Sequence, residues 1–403
     1  MATRVHAVWI EAVAHILQEI FQENRYADKA VAYQLKQHRN WGSRDRAFIA
    51  ENVYECVRYA RLLQEIAEKQ AQTLEDWKQI WAIHWILQGN ILPEGFATNS
   101  TEAAILQRKK DFDAIRSLRE SIPEWIDREG EQSLGTPLWE ETLAFLNKPA
   151  EVWLRANLLK TTAAELQASL AKEHIATEIV HQNCLRVTKR KNLFQTKAFQ
   201  QGWFEVQDYG SQQIAPLLGV SAGARVIDAC AGGGGKTLHL ADLMHNKGTI
   251  IALDVSEKKL QALRKRATRA AIDIVETRPL GNSAKTIKRL HQSADYLLLD
   301  VPCSGLGVLR RNPDTKWKLQ ESALPELMTL QQQILQQYSK MLKVGGKMVY
   351  ATCSILAKEN EQQINNFLDS EQGKNFSLVE QTTLLPQSHN CDGFYKALLV
   401  RSS

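Results

Sequence analysis

Apolar and polar positions follow two different rhythms in this chain, and the change between them falls near residue 150. Before it, apolar residues recur at helical spacing. Val8, Ala12, Val13, Ile16, Leu17 and Ile20 line one face of a segment from Val5 to Phe21. Tyr26 to His38 predicts a second helix, and Ser43 to Ala67 a third with Ser43 as its N-cap. Trp77 to Leu87 predicts a fourth, whose Trp77, Trp81 and Trp85 share one face and are expected in the core. Ile122-Pro123-Glu124-Trp125 opens a shorter helix that Gly135-Thr136-Pro137 ends. No strand pattern intervenes, so residues 1–145 are expected to be an all-helical domain.

After residue 150 the period shortens. Val152 to Leu159 reads as a strand, Thr161 or Thr162 caps a helix from Ala163 to Glu173, and short strands follow at Thr177–Val180, Cys184–Val187 and Trp203–Val206. These make a small α/β unit over residues 146–205. From about residue 222 strands and helices alternate. Strands are expected at Arg225–Ala229, Thr249–Leu253, Asp273–Thr277, Tyr296–Leu299, Lys347–Ala351, Phe376–Glu380 and Tyr395–Val400, and one long helix at Leu324–Leu342. Such alternation predicts a mostly parallel sheet with helices on both faces over residues 206–403, with one antiparallel partner at its edge.

Two of these strands end in unusual chemistry. Tyr296–Leu299 is apolar throughout, as in a strand buried on both faces, and runs into Asp300-Val301-Pro302-Cys303-Ser304. Lys347–Ala351 runs into Thr352-Cys353-Ser354. Carboxyl ends of strands are where α/β folds place their sites. A third strand opens into Cys230-Ala231-Gly232-Gly233-Gly234-Gly235-Lys236-Thr237, whose glycines allow a ligand to approach the backbone. The dinucleotide pattern fails at Lys236 and Thr237, and a phosphate-binding P-loop lacks its first glycine at Cys230. Asp254, at the end of the next strand, suits the two ribose hydroxyls of an adenosine moiety. Ser256 is available to cap the following helix in its place.

Composition narrows the class. With 403 residues, 44% of them hydrophobic and 24% charged, the chain has the make-up of a multidomain soluble protein. No apolar run approaches the length of a membrane span, and the first residues lack an apolar signal region, so a cytoplasmic protein is expected. The net charge of +5 is mild, but Lys189-Arg190-Lys191, Arg264-Lys265-Arg266 with Arg269, and Arg310-Arg311 cluster as a phosphate backbone would require. Cys56, Cys184, Cys230, Cys303, Cys353 and Cys391 include no C-x-x-C pair, which argues against a zinc site and a disulfide framework.

Two thiols at strand ends suit methylation of a pyrimidine ring carbon. Carbon 5 of cytosine becomes nucleophilic only after a thiolate adds to carbon 6. A carboxyl such as Asp300 can steady ring nitrogen 3, and a base must later remove the carbon 5 proton so that the thiol is expelled. Lys236 can lower a thiol pKa or fix the acid.

On these residues the chain resembles the RsmB/NOP (Nol1/Nop2/Sun) family of RNA cytosine 5-methyltransferases. Asp300 to Gly305 with Gly307, Arg311, Pro313 and Asp314 is similar to the family's Pro-Cys motif, and Thr352-Cys353-Ser354 with Glu359-Asn360-Glu361 to its Thr-Cys-Ser motif. Val206-Gln207-Asp208 with Ser211, and Asp392-Gly393-Phe394-Tyr395, also match. The resemblance implies a class I, Rossmann-like methyltransferase domain using S-adenosylmethionine. It implies Cys353 as the nucleophile, Cys303 as the residue that promotes product release, and Asp300 and Lys236 beside them. Cys230, Ala231, Gly232, Gly233, Gly234, Gly235, Lys236, Asp254, Asn282 and Asp300 would hold the cofactor. The spacing alone does not order the two cysteines.

There are two departures. Gly233 stands where the family usually has proline, which loosens the loop without removing an essential group; Asn282 stands where it usually has an aspartate that binds adenine, so weaker cofactor binding with activity retained is expected. Gly42 to Phe48 with Val53-Tyr54 and Val57-Arg58 resembles the NusB-like helical domain of bacterial members, with Arg44 and Arg46 as RNA contacts. The expected partner is RNA, ribosomal RNA foremost, with no membrane and no metal, and a monomer is favoured. A transfer-RNA methyltransferase of the same family and a P-loop-like nucleotide or RNA-binding protein are the alternatives.

Overall fold

A computed structural model of the chain describes residues 5–281 and 283–402. These divide into two compact units. One runs to Lys148 and takes back Leu309–Glu321; the other comprises Pro149–Val308 and the chain from Ser322 onward.

The first unit is all-helical. Its core is built by helices Ala7–Phe21, Ala27–Gln37, Ser43–Arg58, Ala60–Ile66 and Leu74–Leu87. Trp77 and Trp81 are buried, as the stripe predicts, and the Trp81 indole donates to Asn52 at 2.9 Å. Trp85 is only half-buried. The helix expected from Ser43 to Ala67 is divided at Tyr59. Its N-cap is Gly42, not Ser43, because the Asp45 carboxylate reaches back to the Gly42 amide at 2.8 Å. Helix Glu102–Phe112 escapes the periodicity because Ile105 is its single buried residue. The returning segment is tied in by Lys316. Its buried ammonium meets Asn147 Oδ1 at 2.7 Å and the carbonyls of Ser121, Arg58 and Glu120 at 3.0, 3.2 and 3.3 Å. The Trp317 indole donates to the Val57 carbonyl at 2.7 Å, and Asp314 accepts from the Ala27 amide at 3.0 Å.

The second unit holds two sheets. Strands β1 (Val152–Ala156), β2 (Thr177–His181), β3 (Cys184–Val187) and β4 (Phe204–Val206) form a small antiparallel sheet in the order β2-β3-β1-β4. Thr162 and Glu165 cap its helix Ala163–Lys172 reciprocally. The large sheet contains β5 (Arg225–Asp228), β6 (Thr249–Asp254), β7 (Val275–Pro279), β8 (Ala294–Asp300), β9 (Leu342–Thr352), β10 (Phe376–Leu384) and β11 (Phe394–Arg401). Their order is β10-β11-β9-β8-β5-β6-β7. Only β11 runs against its neighbours. This is the class I, Rossmann-like methyltransferase sheet. An antiparallel strand is expected at the edge, yet β11 inserts between β9 and β10, pairs with both, and buries every residue from Phe394 to Leu399 except Lys396. The long helix ends at Tyr338, and β9 starts at Leu342, earlier than its apolar run suggests, because Gly345-Gly346 lies within the strand.

Candidate active site

Strands β8 and β9 are parallel neighbours, and Asp300 is in register with Ala351. The pairing continues one step further, from the Val301 amide to the Ala351 carbonyl at 3.0 Å. The two following loops therefore leave the sheet side by side. They bring the sulfurs of Cys303 and Cys353 to 3.4 Å. Gly307 seals the junction: its amide donates to the Cys353 carbonyl at 2.9 Å, and its carbonyl accepts from Gly393 at 2.7 Å. A Cβ at Gly307 would fall 2.2 Å from the Gly393 carbonyl oxygen, so only glycine lets these backbones close. The hydrogen bond to Cys353, and then burial, push the Cys303 thiol well above the usual cysteine range. Cys303 is accordingly held as a thiol.

Lys236 lies on the first turn of helix Gly235–Leu243 and binds Asp300 Oδ2 at 2.7 Å. Burial pulls its ammonium down, but the Asp300 charge and hydrogen bond outweigh this, and its pKa lies above the ordinary lysine value. Of the two roles expected for Lys236, fixing the acid would use this contact. The ammonium also stands 5.3 Å from the centre of the Phe394 ring. Phe394 thus borders the candidate site, a position that sequence chemistry does not assign it. Its signal lay in Asp392-Gly393-Phe394-Tyr395, which matched the family pattern without stating any chemistry.

The glycine loop joins β5 to that helix. Gly232 and Gly234 have φ of 55° and 87°, and a Cβ at Gly234 would meet Leu263 Cδ1 at 2.0 Å. Asp254 accepts from the Gly232 amide at 2.9 Å and the Ser256 amide at 2.7 Å. Ser256 does cap the next helix, accepting from Lys259. Ala231 pairs with Leu253 at 2.9 Å, Gly233 offers its carbonyl to Arg266, and Arg266 also pairs with Glu205 of β4 at 2.9 Å. Cys230 stays a thiol, its pKa raised well above the usual value by burial and then by the charges of Asp228, Asp300 and Asp254. Asn282 lies outside the described residues.

Electrostatics discriminates among ligands for this loop. Asp228, Asp254 and Asp300 surround it, and its one lysine is already paired with Asp300. These carboxyl groups disfavour a triphosphate; a cationic sulfonium with an adenosine tail fits both the field and Asp254. Among the described residues, no group of three or more His, Cys, Asp or Glu could hold a metal ion. No described helix is long and apolar enough to cross a membrane. Of the expected RNA contacts, Arg44 is exposed, while Arg46 donates to the carbonyls of Trp41, Leu35 and His38 and closes a turn.

Known proteins match this architecture. The family model described as 16S rRNA methyltransferase RsmB/F matches residues 215–400, and that of the RsmF/B-like ferredoxin-like domain matches residues 122–193. A probable ribosomal RNA small subunit methyltransferase B from Synechocystis is 31% identical over 96% of this chain and 98% of its own length. The ribosomal RNA small subunit methyltransferase B of Proteus mirabilis is 34% identical over 65% of this chain and 62% of its own. Among solved structures, PH0851 superposes with a TM-score of 0.80 at 24% identity, covering 99% of both chains. A methyltransferase homolog protein from Pyrococcus horikoshii gives 0.62 at 26% identity, covering 72% of this chain and 98% of its own. By the identity it shares along nearly its whole length, the chain belongs to the RsmB/F family of 16S rRNA methyltransferases.

Proposed function

We propose that this RNA methyltransferase forms 5-methylcytosine in 16S ribosomal RNA, through a covalent adduct between Cys353 and carbon 6 of the target base. The observation that carries this reading is the 3.4 Å approach of the two sulfurs at the ends of adjacent strands. The thiolate of Cys353 adds to carbon 6, and the electrons of the 5,6 double bond move toward ring nitrogen 3, where a proton held between Asp300 and Lys236 hydrogen-bonds the developing charge. Lys236 holds the Asp300 carboxylate in place at 2.7 Å. S-adenosylmethionine, when bound, supplies the methyl group that the enriched carbon 5 takes. Residues Cys230 to Lys236, Asp254, Asn282 and Asp300 would hold it.

The carbon 5 proton then leaves to a base. The double bond re-forms, and the bond from carbon 6 to sulfur breaks, returning the thiolate to Cys353. Cys303, 3.4 Å from that sulfur, promotes this second half. Residues 1–145 and 146–205 grip the RNA, and residues 206–403 carry the chemistry. The names of the relatives favour ribosomal RNA over transfer RNA. The lysine already paired with Asp300 argues against a P-loop ATPase.

The test uses a 16S rRNA transcript and labelled cofactor. Cys353→Ala should neither methylate nor form an adduct, and Cys303→Ala should accumulate a covalent protein–RNA complex. The reverse pattern would exchange the two roles. Tight binding of ATP with magnesium, and none of S-adenosylmethionine, would overturn the reading.

A further inference from the structure

Two adjacent residues, Glu359 and Asn360, are fully buried, and each grips a different cysteine loop. Glu359 holds the residue after Cys303: its carboxylate accepts from the Ser304 amide at 2.8 Å and the Ser304 hydroxyl at 2.5 Å. Gln331 completes that grip, donating to Glu359 at 3.0 Å and to the Pro302 carbonyl at 2.9 Å. Asn360 spans Cys353: its Oδ1 accepts from Thr352 at 2.6 Å, and its Nδ2 donates to the Ser354 carbonyl at 3.1 Å. The two grips meet where the hydroxyls of Ser304 and Ser354 lie 3.1 Å apart. Tyr350 anchors the pair from β9, donating to the Glu359 carbonyl at 2.7 Å.

The residue types are informative. Three neutral donors meet the Glu359 carboxylate. Burying a charge in such a setting is costly, so packing alone would favour an amide or an apolar residue. A carboxylate accepts with both oxygens, whereas a glutamine would present an N–H to the Ser304 hydroxyl and force that hydroxyl to turn its own proton toward Ser354.

We propose that Glu359 and Asn360 are positioning residues that together set the spacing of the two thiols, Glu359 holding Cys303 for product release and Asn360 holding Cys353 for attack. This rests on the covalent reading above. Because Glu359 and Asn360 adjoin in sequence, both grips start from one point of the backbone while each holds its own loop.

The test separates the two halves of the reaction. In Glu359→Gln, adduct formed in the first turnover should stay near the parent level while steady-state turnover falls about 100-fold, the scale expected of a misplacement near 1 Å. In Asn360→Ala, adduct formation itself should slow by a similar factor. A purely structural role would lower both quantities in proportion, and that result, or unchanged kinetics in folded protein, overturns the proposal. If either variant fails to fold, Ser304→Ala and Thr352→Val remove only the gripping hydroxyls and should show the same split in weaker form. Absence of adduct from both the parent and Cys303→Ala would remove the covalent reading and this proposal with it. Normal adduct in those two proteins with unsplit variants would remove the proposal alone.

Discussion

The ammonium of Lys236 stands 2.7 Å from the carboxylate of Asp300, and the pair joins the first helix turn after β5 to the end of β8. The side chains are 11% and 29% exposed, so water screens the pair only in part. Lys236→Met leaves Asp300 without its cation. We expect a stability loss of about 1–3 kcal/mol in urea unfolding and a fall in kcat/KM of about 100-fold. A variant with parental kcat/KM would show that Asp300 needs no such anchor.

The glycines of the cofactor loop are not equivalent. Gly234 combines a φ of 87° with a Cβ position 2.0 Å from Leu263 Cδ1. Gly233 would place its Cβ 3.4 Å from the end of the Arg266 side chain, which can swing aside. Gly234→Ala should weaken S-adenosylmethionine binding at least tenfold by calorimetry and destabilise the fold by about 1–2 kcal/mol. Gly233→Ala should leave both nearly unchanged. Equal effects would contradict the strain argument.

The helical unit should weaken in acid through His84. Burial holds its pKa down at about 4, below the ordinary 6.5. Between these values the unfolded chain binds a proton that the folded one refuses. The contribution is therefore complete above pH 6.5 and is lost as pH falls toward 4, up to about 3 kcal/mol in all. Urea midpoints measured from pH 7 to pH 4 should fall more steeply in the parent than in His84→Gln. Parallel curves would discount the histidine.

Lys316 secures the segment that returns to the helical unit. Replacing it by methionine strips Asn147 and the Ser121, Arg58 and Glu120 carbonyls of a shared donor. We expect about 1–3 kcal/mol of destabilisation by chemical denaturation. Equal stability would mean that water replaces the ammonium.

The change from helices to strands near residue 150 was legible because helix and strand periods differ, and burial on one face imposes them. The tryptophan stripe, the glycine loop and Asp254 were readable for the same local reasons. What braces the site was readable only in part. Glu359 and Asn360 stood in the motif around Cys353, but the partners that Glu359, Gln331 and Arg266 reach lie far along the chain, and no local pattern shows them. The break at Tyr59 and the return of Leu309–Glu321 were hidden likewise, since the lysine that fixes the segment has the same type as any surface lysine.

Sequence by itself determined which groups are available: two thiols and one acid just past the carboxyl ends of buried strands, and one lysine where a glycine loop opens into a helix. It determined this because strand endings and tight turns are written in neighbouring residues. Tertiary structure alone decided that β8 and β9 are adjacent, that their register places Asp300 beside Ala351, and that the two sulfurs come within 3.4 Å. Strand order is set by which apolar faces pack across the whole sheet. That is a property of distant residues acting together, and no stretch of chain carries it alone.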